Sequence, residues 1–354
     1  MEKIVYEILD LIEKNGFQAY IVGGYPRDYY LKKRSEDYDI CTNATSEQLR
    51  NIFSEIVSEN FGSLKIKYRG KIIEITTFRI DLEYTFTRTP VIAYTNYLEE
   101  DLQRRDFIMN TLCMDKNGNY IDLMGAISDI DNQIIRSVGN PFQKMIEDPL
   151  RILRAIRFSS TLGFSIDNQL EEAIIKNISL VEKLSYYRKK EELDKIFLSK
   201  RGIDLLKKYE LDKVLECKWK SIIFVDCVEA IWAQIDFSNQ YPFSKEEKKK
   251  IELIRFLLKK AKIEDIELYY YGLEMCSYVS KILKIDIDDL EERYCSLPIH
   301  SQKDISISAD RMKEITNTFP SVCYPILERE IISRRLENSK NSIEKFLLSY
   351  FVEK

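Results

Sequence analysis

The hydrophobic pattern of the chain changes once, near residue 147. Before about residue 125, helical spacing at 3–14 alternates with strand-like runs at 18–22, 63–68 and 71–78, and Arg69-Gly70 and Asn117-Gly118 have the composition of hairpin turns. From about Glu147 onward, apolar residues recur almost entirely at helical spacing. The pattern therefore predicts an α+β fold, in which a mixed head with a small sheet precedes an all-helical remainder.

Two glycines and two aspartates follow the first predicted strand. Residues one apart on a strand point to the same side, so Asp37 and Asp39 are expected to present two carboxylates to one place. Gly23 and Gly24 allow backbone amides to approach phosphate closely. Because Mg²⁺ binds one or two carboxylates together with water and phosphate oxygens, the segment predicts a Mg²⁺ site with Asp37 and Asp39 as ligands.

A third carboxylate is expected on a neighbouring strand. Glu74 is the candidate, because Ile73 and Ile75 on either side of it point to the opposite face. A surface glutamate on an amphipathic strand is the alternative interpretation of Glu74, and Asp81 is the next candidate for the role.

Composition excludes several classes of protein. The 354 residues are 45% hydrophobic, enough for more than one core, and no run of about 18 apolar residues suggests a membrane span. With His300 as the single histidine, the chain cannot build a histidine-rich zinc site. The seven scattered cysteines are expected to be buried small hydrophobic residues. We expect a soluble, cytoplasmic protein.

Four motifs stand in a fixed order over roughly the first 165 residues: 21–39, 104–110, 120–141 and 147–158. Together they resemble the polymerase-beta-like nucleotidyltransferases, in the form found in the bacterial (class II) tRNA nucleotidyltransferase and poly(A) polymerase family. The resemblance implies a catalytic head at 1–137, a helical neck with a base-reading helix at 138–202, a helical body at 203–280 and a helical, tRNA-binding tail at 281–354.

The activity that this resemblance implies is Mg²⁺-dependent addition of C, C and A to the 3′ end of tRNA from CTP and ATP. Asp37, Asp39 and Glu74 would be the catalytic carboxylates. Arg104, Arg105 and Asp106 are expected at a helix start, where amides and guanidinium groups bind phosphate. The nucleotide-binding residues carried over are Gly23, Gly24, Arg27, Asp28, Arg105, Asp106, Asn110, Asp148, Arg151, Arg154 and Arg157.

Asp148 and Arg151 carry the expected choice of base. On a helix, residues three apart are neighbours, so a carboxylate acceptor and a guanidinium donor would face one base together. Cytosine N4 and adenine N6 are donors, whereas uracil O4 and guanine O6 are acceptors, so an ionised Asp148 accepts C and A and opposes U and G. The alternative interpretation of Asp148 and Arg151 is an ordinary surface ion pair. The surrounding motif favours base recognition over this alternative.

Two departures from the family pattern leave open which of the nucleotides C, C and A are added. The segment 81–90 has the position of the loop that changes addition from C to A, but Thr85, Phe86, Thr87 and Thr89 replace its usual residues. Tyr187 stands where the family commonly has glutamate. The alternatives are therefore an A-adding or CC-adding enzyme, a poly(A) polymerase and, from another class, a catalytically silent RNA-binding protein.

Overall fold

The computed structural model describes residues 3–35, 38–60, 62–84, 90–219 and 221–351. The chain forms two compact units, Met1–Glu216 and Cys217–Lys354. The helices Lys200–Lys208 and Asp265–Leu283, the second of which is kinked at Gly272, cross the boundaries predicted at 202 and 280. The division into head, neck, body and tail stays a prediction.

The first unit contains a seven-stranded sheet in the order β3-β4-β5-β2-β1-β8-β9. All neighbouring pairs in it are antiparallel except β2 and β5, which are parallel. Two smaller sheets pair β6 with β7 and β10 with β11. The strands are β1 (Ala19–Val22), β2 (Asp39–Thr42), β3 (Ile56–Asn60), β4 (Ser63–Tyr68), β5 (Lys71–Thr77), β6 (Arg79–Tyr84), β7 (Pro90–Tyr94), β8 (Cys113–Met114), β9 (Tyr120–Ile121), β10 (Ile134–Ile135) and β11 (Ser165–Ile166).

Both predicted hairpins are confirmed. Arg69 and Gly70 join β4 to β5 with φ angles of 47° and 83°, the left-handed conformation that this turn requires. Asn117 and Gly118 lie between β8 and β9, where the Asp115 carboxylate accepts hydrogen bonds from the backbone N–H groups of Asn117 and Asn119.

The helices of the first unit cover the sheet and continue beyond it. The order Thr45-Ser46-Glu47-Gln48 is typical of a capping box, and this box is present at the start of α3. The helices are α1 (Lys3–Lys14), α2 (Gly24–Tyr30), α3 (Ser46–Ile52), α4 (Leu98–Gln103), α5 (Ala126–Asp131), α6 (Pro141–Glu147), α7 (Leu150–Leu162), α8 (Asn168–Asn177), α9 (Tyr186–Ile196), α10 (Lys200–Lys208) and α11 (Asp212–Leu215), with 3₁₀ turns at Ile108–Asn110 and Ile178–Lys183.

The two faces of the large sheet pack against different helices. One face buries Ile40 and Ile75 against α1 and α3, and the other packs Cys41 with Leu98 and Leu102 of α4. Burying each such aliphatic side chain stabilises the fold by about 1.5–3 kcal/mol. Because side chains alternate along a strand, Asp39 and Glu74 lie on the face that Cys41 shares with α4.

The second unit is almost wholly helical, as the sequence pattern predicts. Its buried Trp232 packs against the rings of Phe237, Tyr241 and Phe243, each with a centroid 5.1 Å away. The elements are α12 (Val228–Ala233), α13 (Lys245–Lys260), α14 (Asp265–Leu283), α15 (Ile287–Cys295), α16 (Ala309–Thr316), α17 (Pro320–Ile332) and α18 (Lys340–Phe351), a 3₁₀ turn at Gln302–Asp304, and the paired strands β12 (Cys217–Lys218) and β13 (Asp236–Phe237).

Among the described residues, no helix is long and apolar enough to cross a membrane. Six of the seven cysteines are buried as predicted, but Cys295, the last residue of α15, is exposed, so the prediction is wrong for that residue. His300 is exposed, and its backbone N–H donates to the Asp304 carboxylate.

Candidate active site

Two carboxylates meet on adjacent strands of the large sheet. The parallel pairing of β2 and β5 places Asp39 directly opposite Glu74. The Ser63 hydroxyl donates a hydrogen bond to Glu74 Oε1, and Lys65 Nζ lies 3.6 Å from Glu74 Oε2. With 39% of its side chain exposed, Glu74 is oriented by these contacts and remains open to solvent.

The space around Asp39 and Glu74 is a small cavity of about 200 Å³, which Tyr38 and Lys71 also line. Gly23, at a φ of 84°, lies so close that an added Cβ would stand 3.5 Å from Asp39 Oδ2. Glycine at this position therefore keeps the space beside the carboxylate clear. Asp81 lies in the separate β6–β7 sheet, where its Oδ1 is 3.7 Å from Arg79 Nε.

The donor set at this cavity fits a hard divalent cation. Asp39 and Glu74 supply carboxylate oxygens on one face of the sheet, and Mg²⁺ binds one or two carboxylates while water and phosphate oxygens complete its octahedron. Asp37, the other predicted ligand, lies outside the described residues. Within the described ranges, no three His, Cys, Asp or Glu side chains form a complete metal-binding group.

Arg27 connects the segment that follows Gly23 and Gly24 to the second motif, residues 104–110. Its guanidinium donates to Asp28 Oδ1 at 2.7 and 2.9 Å and to Asn110 Oδ1 at 2.6 Å. The side chain is almost fully buried and lies over the ring of Phe158, 5.2 Å from its centroid. The structure thus brings Arg27, Asp28 and Asn110 together, with Arg27 at the centre of the network.

The second motif does not stand at a helix start, so that prediction is wrong. Arg104 instead follows the last residue of α4. The reason is Asp101, which is fully buried: its carboxylate accepts from Arg104 Nε at 2.8 Å and from Arg105 Nη2 at 3.1 Å. These bonds fold both guanidinium groups back onto the helix that precedes them. Burial alone would lower the pKa of Arg105, but the charge of Asp101 raises it above its ordinary value.

Asp106 links the head to the first long helix beyond it. Its carboxylate pairs with Arg154, at 2.6 Å from Nη2, and accepts hydrogen bonds from Asn110 Nδ2 and the backbone N–H of Phe107. Burial alone would raise the pKa of Asp106, but the charge of Arg154 and these hydrogen bonds lower it to about 2. Asp106 is therefore a largely buried, ionised group.

Asp148 and Arg151 are not both on one helix, which corrects the predicted geometry. Asp148 follows the last residue of α6 and has an extended backbone, because Pro149 disfavours a helical conformation in the residue before it. Its carboxylate accepts from the backbone N–H of Leu150 at 3.1 Å and so helps to start α7. Asp148 itself is partly exposed.

Arg151 is 6% exposed and makes its own contacts within the protein. Its guanidinium donates to the carbonyl oxygens of Lys144 and Arg104, at 3.0 and 3.1 Å, and to Glu147 Oε2 at 3.2 Å. Burial and then the charge of Arg151 lower the pKa of Lys144. The predicted pair thus stands at the junction of α6, α7 and the second motif.

The remaining predicted arginine, Arg157, pairs with Glu192 of α9. Its Nε lies 2.7 Å from Glu192 Oε2, and the guanidinium lies over the ring of Phe158 at 4.2 Å. Tyr187, near the start of the same helix, is 61% exposed. Glu192 therefore connects α9 to the helix that carries Arg151 and Arg154.

Sequence reasoning did not select Asp101 and Glu192 as members of this site. The spacing of Asp101 to Arg104 and Arg105, three and four residues on, is a signal for the pairs that form. Glu192 carries no such local signal, because its partner Arg157 is 35 positions away and is brought near by the packing of α7 against α9.

Comparisons with known proteins agree with this architecture. Residues 19–136 match the poly A polymerase head domain, residues 163–216 a family described as "Probable RNA and SrmB- binding site of polymerase A", and residues 223–347 tRNA nucleotidyltransferase domain 2. The fold also resembles the crystal structure of the Bacillus stearothermophilus CCA-adding enzyme in complex with CTP, with a TM-score of 0.80 and 25% identity over 99% of this chain and 98% of the other.

Curated relatives match over nearly their whole length. The CCA-adding enzyme of Ligilactobacillus salivarius is 32% identical over 94% of this chain and 93% of the relative. That of Lactobacillus helveticus is 31% identical over 96% of this chain and 95% of the relative. The chain therefore belongs to the CCA-adding enzyme family of tRNA nucleotidyltransferases.

Proposed function

We propose that this protein adds C, C and A to the 3′ end of tRNA, without a nucleic-acid template, from CTP and ATP. The observation that carries the proposal is the pairing of Asp39 with Glu74 beside the Gly23 turn, in a chain whose whole length matches CCA-adding enzymes. The CTP complex of the Bacillus stearothermophilus relative supports a nucleoside triphosphate as substrate.

In the reaction, the 3′-hydroxyl of the RNA attacks the α-phosphate of the nucleotide and pyrophosphate leaves. Bound Mg²⁺ supplies charge neutralisation for the attacking and leaving oxygens. We assign its binding to Asp37, Asp39 and Glu74. Ser63 and Lys65 orient Glu74, and the absence of a side chain at Gly23 leaves space for phosphate beside Asp39.

Two networks hold the rest of the nucleotide site in place. Arg27 holds Asp28 and Asn110 by hydrogen bonds, so that Asp28 reaches the ribose from a defined position. Asp106 joins Asn110 to Arg154, while Asp101 holds Arg105 near the same loop. A site that is held in this way before substrate arrives loses less conformational entropy when it binds.

Asp148 and Arg151 select the base in this proposal. Asp148 accepts from the amino group of C or A, and its charge opposes the carbonyl of U or G at the same place. A polar site of this kind rejects analogues without the matching group by roughly 10⁴ to 10⁵. Since the donors of Arg151 contact Lys144, Glu147 and Arg104, Arg151 exchanges one of these contacts when it donates to a base.

The proposal is tested by incorporation of labelled CTP and ATP, separately and together, into tRNA that ends at the discriminator base, at C or at CC. Extension of all three to one CCA end supports it. Addition of A to the CC-ended tRNA alone identifies an A-adding enzyme, arrest at CC a CC-adding enzyme, and a run of A a poly(A) polymerase. RNA binding without any incorporation identifies a silent RNA-binding protein.

A further inference from the structure

A second, larger cavity in the first unit is lined by residues that have no role in the function proposed above. Its volume is about 690 Å³, and it lies beside α2 and the loop that follows this helix. The lining consists of aromatic and cationic side chains, including Tyr25, Tyr29, Tyr30, Tyr120, Lys32 and Lys33.

The tyrosine rings of this cavity are held in place by one another. Tyr29, half exposed, stacks on the buried Tyr25 with centroids 5.8 Å apart and an angle of 19° between the rings. Tyr30 donates its hydroxyl to Asp131 Oδ1 at 3.0 Å and meets Tyr120 edge to face at 5.6 Å. Rings that are fixed and partly exposed are stacking platforms for nucleic-acid bases.

The cationic side of the cavity comes from consecutive residues at the end of α2. Lys32 and Lys33 are exposed there, and Arg34 also lines the cavity. Among the described residues that line the cavity there is no carboxylate; nearby, Asp28 is paired with Arg27, and Asp131 accepts a hydrogen bond from the Tyr30 hydroxyl and keeps its charge. The described lining therefore combines an aromatic platform with positive charge, as in sites for single-stranded nucleic acid.

One ring contact links the lining of this cavity to the lining of the cavity that holds the carboxylates. The ring centroid of Tyr25 lies 4.4 Å from that of Tyr38, which lines the small cavity together with Asp39 and Glu74. We propose that the larger cavity binds single-stranded RNA next to the growing 3′ end, with one base stacked on Tyr29 and phosphates at Lys32 and Lys33. This inference rests on the proposed function, because it names a contact of the same RNA substrate.

The first test uses the unaltered protein. A tRNA that carries 2-aminopurine next to its 3′ end is titrated with the protein, and stacking on tyrosine is expected to quench the fluorescence of this base. Tyr29→Ala is expected to abolish the quenching and to weaken tRNA binding, measured by fluorescence anisotropy, by about 5- to 100-fold. Tyr29→Phe keeps the ring and is expected to bind like the wild type.

The charged side is tested by the double variant Lys32→Ala/Lys33→Ala. The slope of log Kd against log salt is expected to fall by about 1.4, since each phosphate contact to a single strand contributes about 0.7. Matched controls on α1 are Tyr6→Ala, at a residue that is 42% exposed, and Lys3→Ala/Lys14→Ala, and neither should change RNA binding.

Unchanged RNA affinity and quenching in Tyr29→Ala would overturn the inference. So would a loss of CTP binding in Lys32→Ala/Lys33→Ala, measured by equilibrium dialysis without RNA, because the triphosphate would then be the occupant. The proposed function fails separately: wild-type protein that quenches and binds the RNA but incorporates no nucleotide would refute catalysis and keep the RNA site.

Discussion

Two pairs of carboxylates in the first unit have opposite surroundings. Asp39 and Glu74 lie on strands at the edge of a cavity, Asp39 exposed and Glu74 partly so. Asp101 is fully buried and Asp106 is largely buried, and each is paired with arginine, Asp101 with Arg104 and Arg105 and Asp106 with Arg154. The first pair is accessible to a cation from solution, whereas the second pair already neutralises cations of the protein itself.

The difference shows how similar acidic motifs acquire different tasks. A buried carboxylate without a partner is costly, so Asp101 and Asp106 need their arginines for the fold to be stable. An exposed carboxylate carries no such cost and can be replaced without unfolding the protein. Substitutions in the two pairs should therefore affect different measurements.

The largest effect is expected from Asp39→Ala. Loss of a metal ligand should reduce nucleotide incorporation by about 10⁴-fold, equivalent to roughly 5 kcal/mol in the barrier. Because the side chain is exposed, the free energy of unfolding should change by less than about 0.5 kcal/mol. Glu172→Ala, at an exposed position of α8, is the control. Incorporation within tenfold of the wild type would refute the metal assignment.

Asp106→Ala should reverse this balance between activity and stability. Removal of the Asp106 carboxylate leaves Arg154, which is one-third exposed, without its nearest counterion and should lower the free energy of unfolding by about 1–3 kcal/mol. Urea unfolding followed by circular dichroism measures the change, with Glu172→Ala again as the control. A loss below about 1 kcal/mol would show that Asp106, like Asp39, contributes little to the free energy of unfolding, and would contradict the prediction.

Acid should reduce the stability that the pair of Asp106 and Arg154 contributes to the wild-type protein. The folded-state pKa of Asp106 is about 2, below the value of about 3.9 in an unfolded chain, so the stability it contributes is present above pH 4 and lost as the pH falls through 2. The contribution is about 2.5 kcal/mol, and about half of it is lost by pH 3. The stability difference between wild type and Asp106→Asn should therefore shrink from pH 6 to pH 3. A difference that is constant over this range would contradict the lowered pKa.

Asp148 is partly exposed, so its burial lies between that of Asp39, which is exposed, and that of Asp101, which is buried. Asp148→Ala should reduce the preference for CTP over UTP, measured as a ratio of kcat/KM, by at least about tenfold, or ~1.4 kcal/mol. Asp148→Asn, which adds a donor for the O4 of uracil, should favour UTP further. An unchanged preference in both variants would exclude Asp148 from base selection.

Local patterns predicted much of the fold correctly. Helix α1, the capping box of α3 and the hairpins β4–β5 and β8–β9 depend on residues close together in the chain, and each is confirmed. The two errors at the site have their causes in neighbouring residues, a buried carboxylate and a proline. The arginines after α4 turn back to the buried Asp101, and Pro149 separates Asp148 from the helix that carries Arg151.

The sequence by itself determined the α+β class, the family and the identity of the candidate site residues, because these follow from short motifs and from hydrophobic periodicity. Only the tertiary structure decided which carboxylates are open and which are neutralised. The pairing of Asp39 with Glu74 depends on sheet register, and that of Asp106 with Arg154 on the packing of α7. Such contacts join residues 35 and 48 positions apart, respectively, and no local pattern specifies where distant side chains meet.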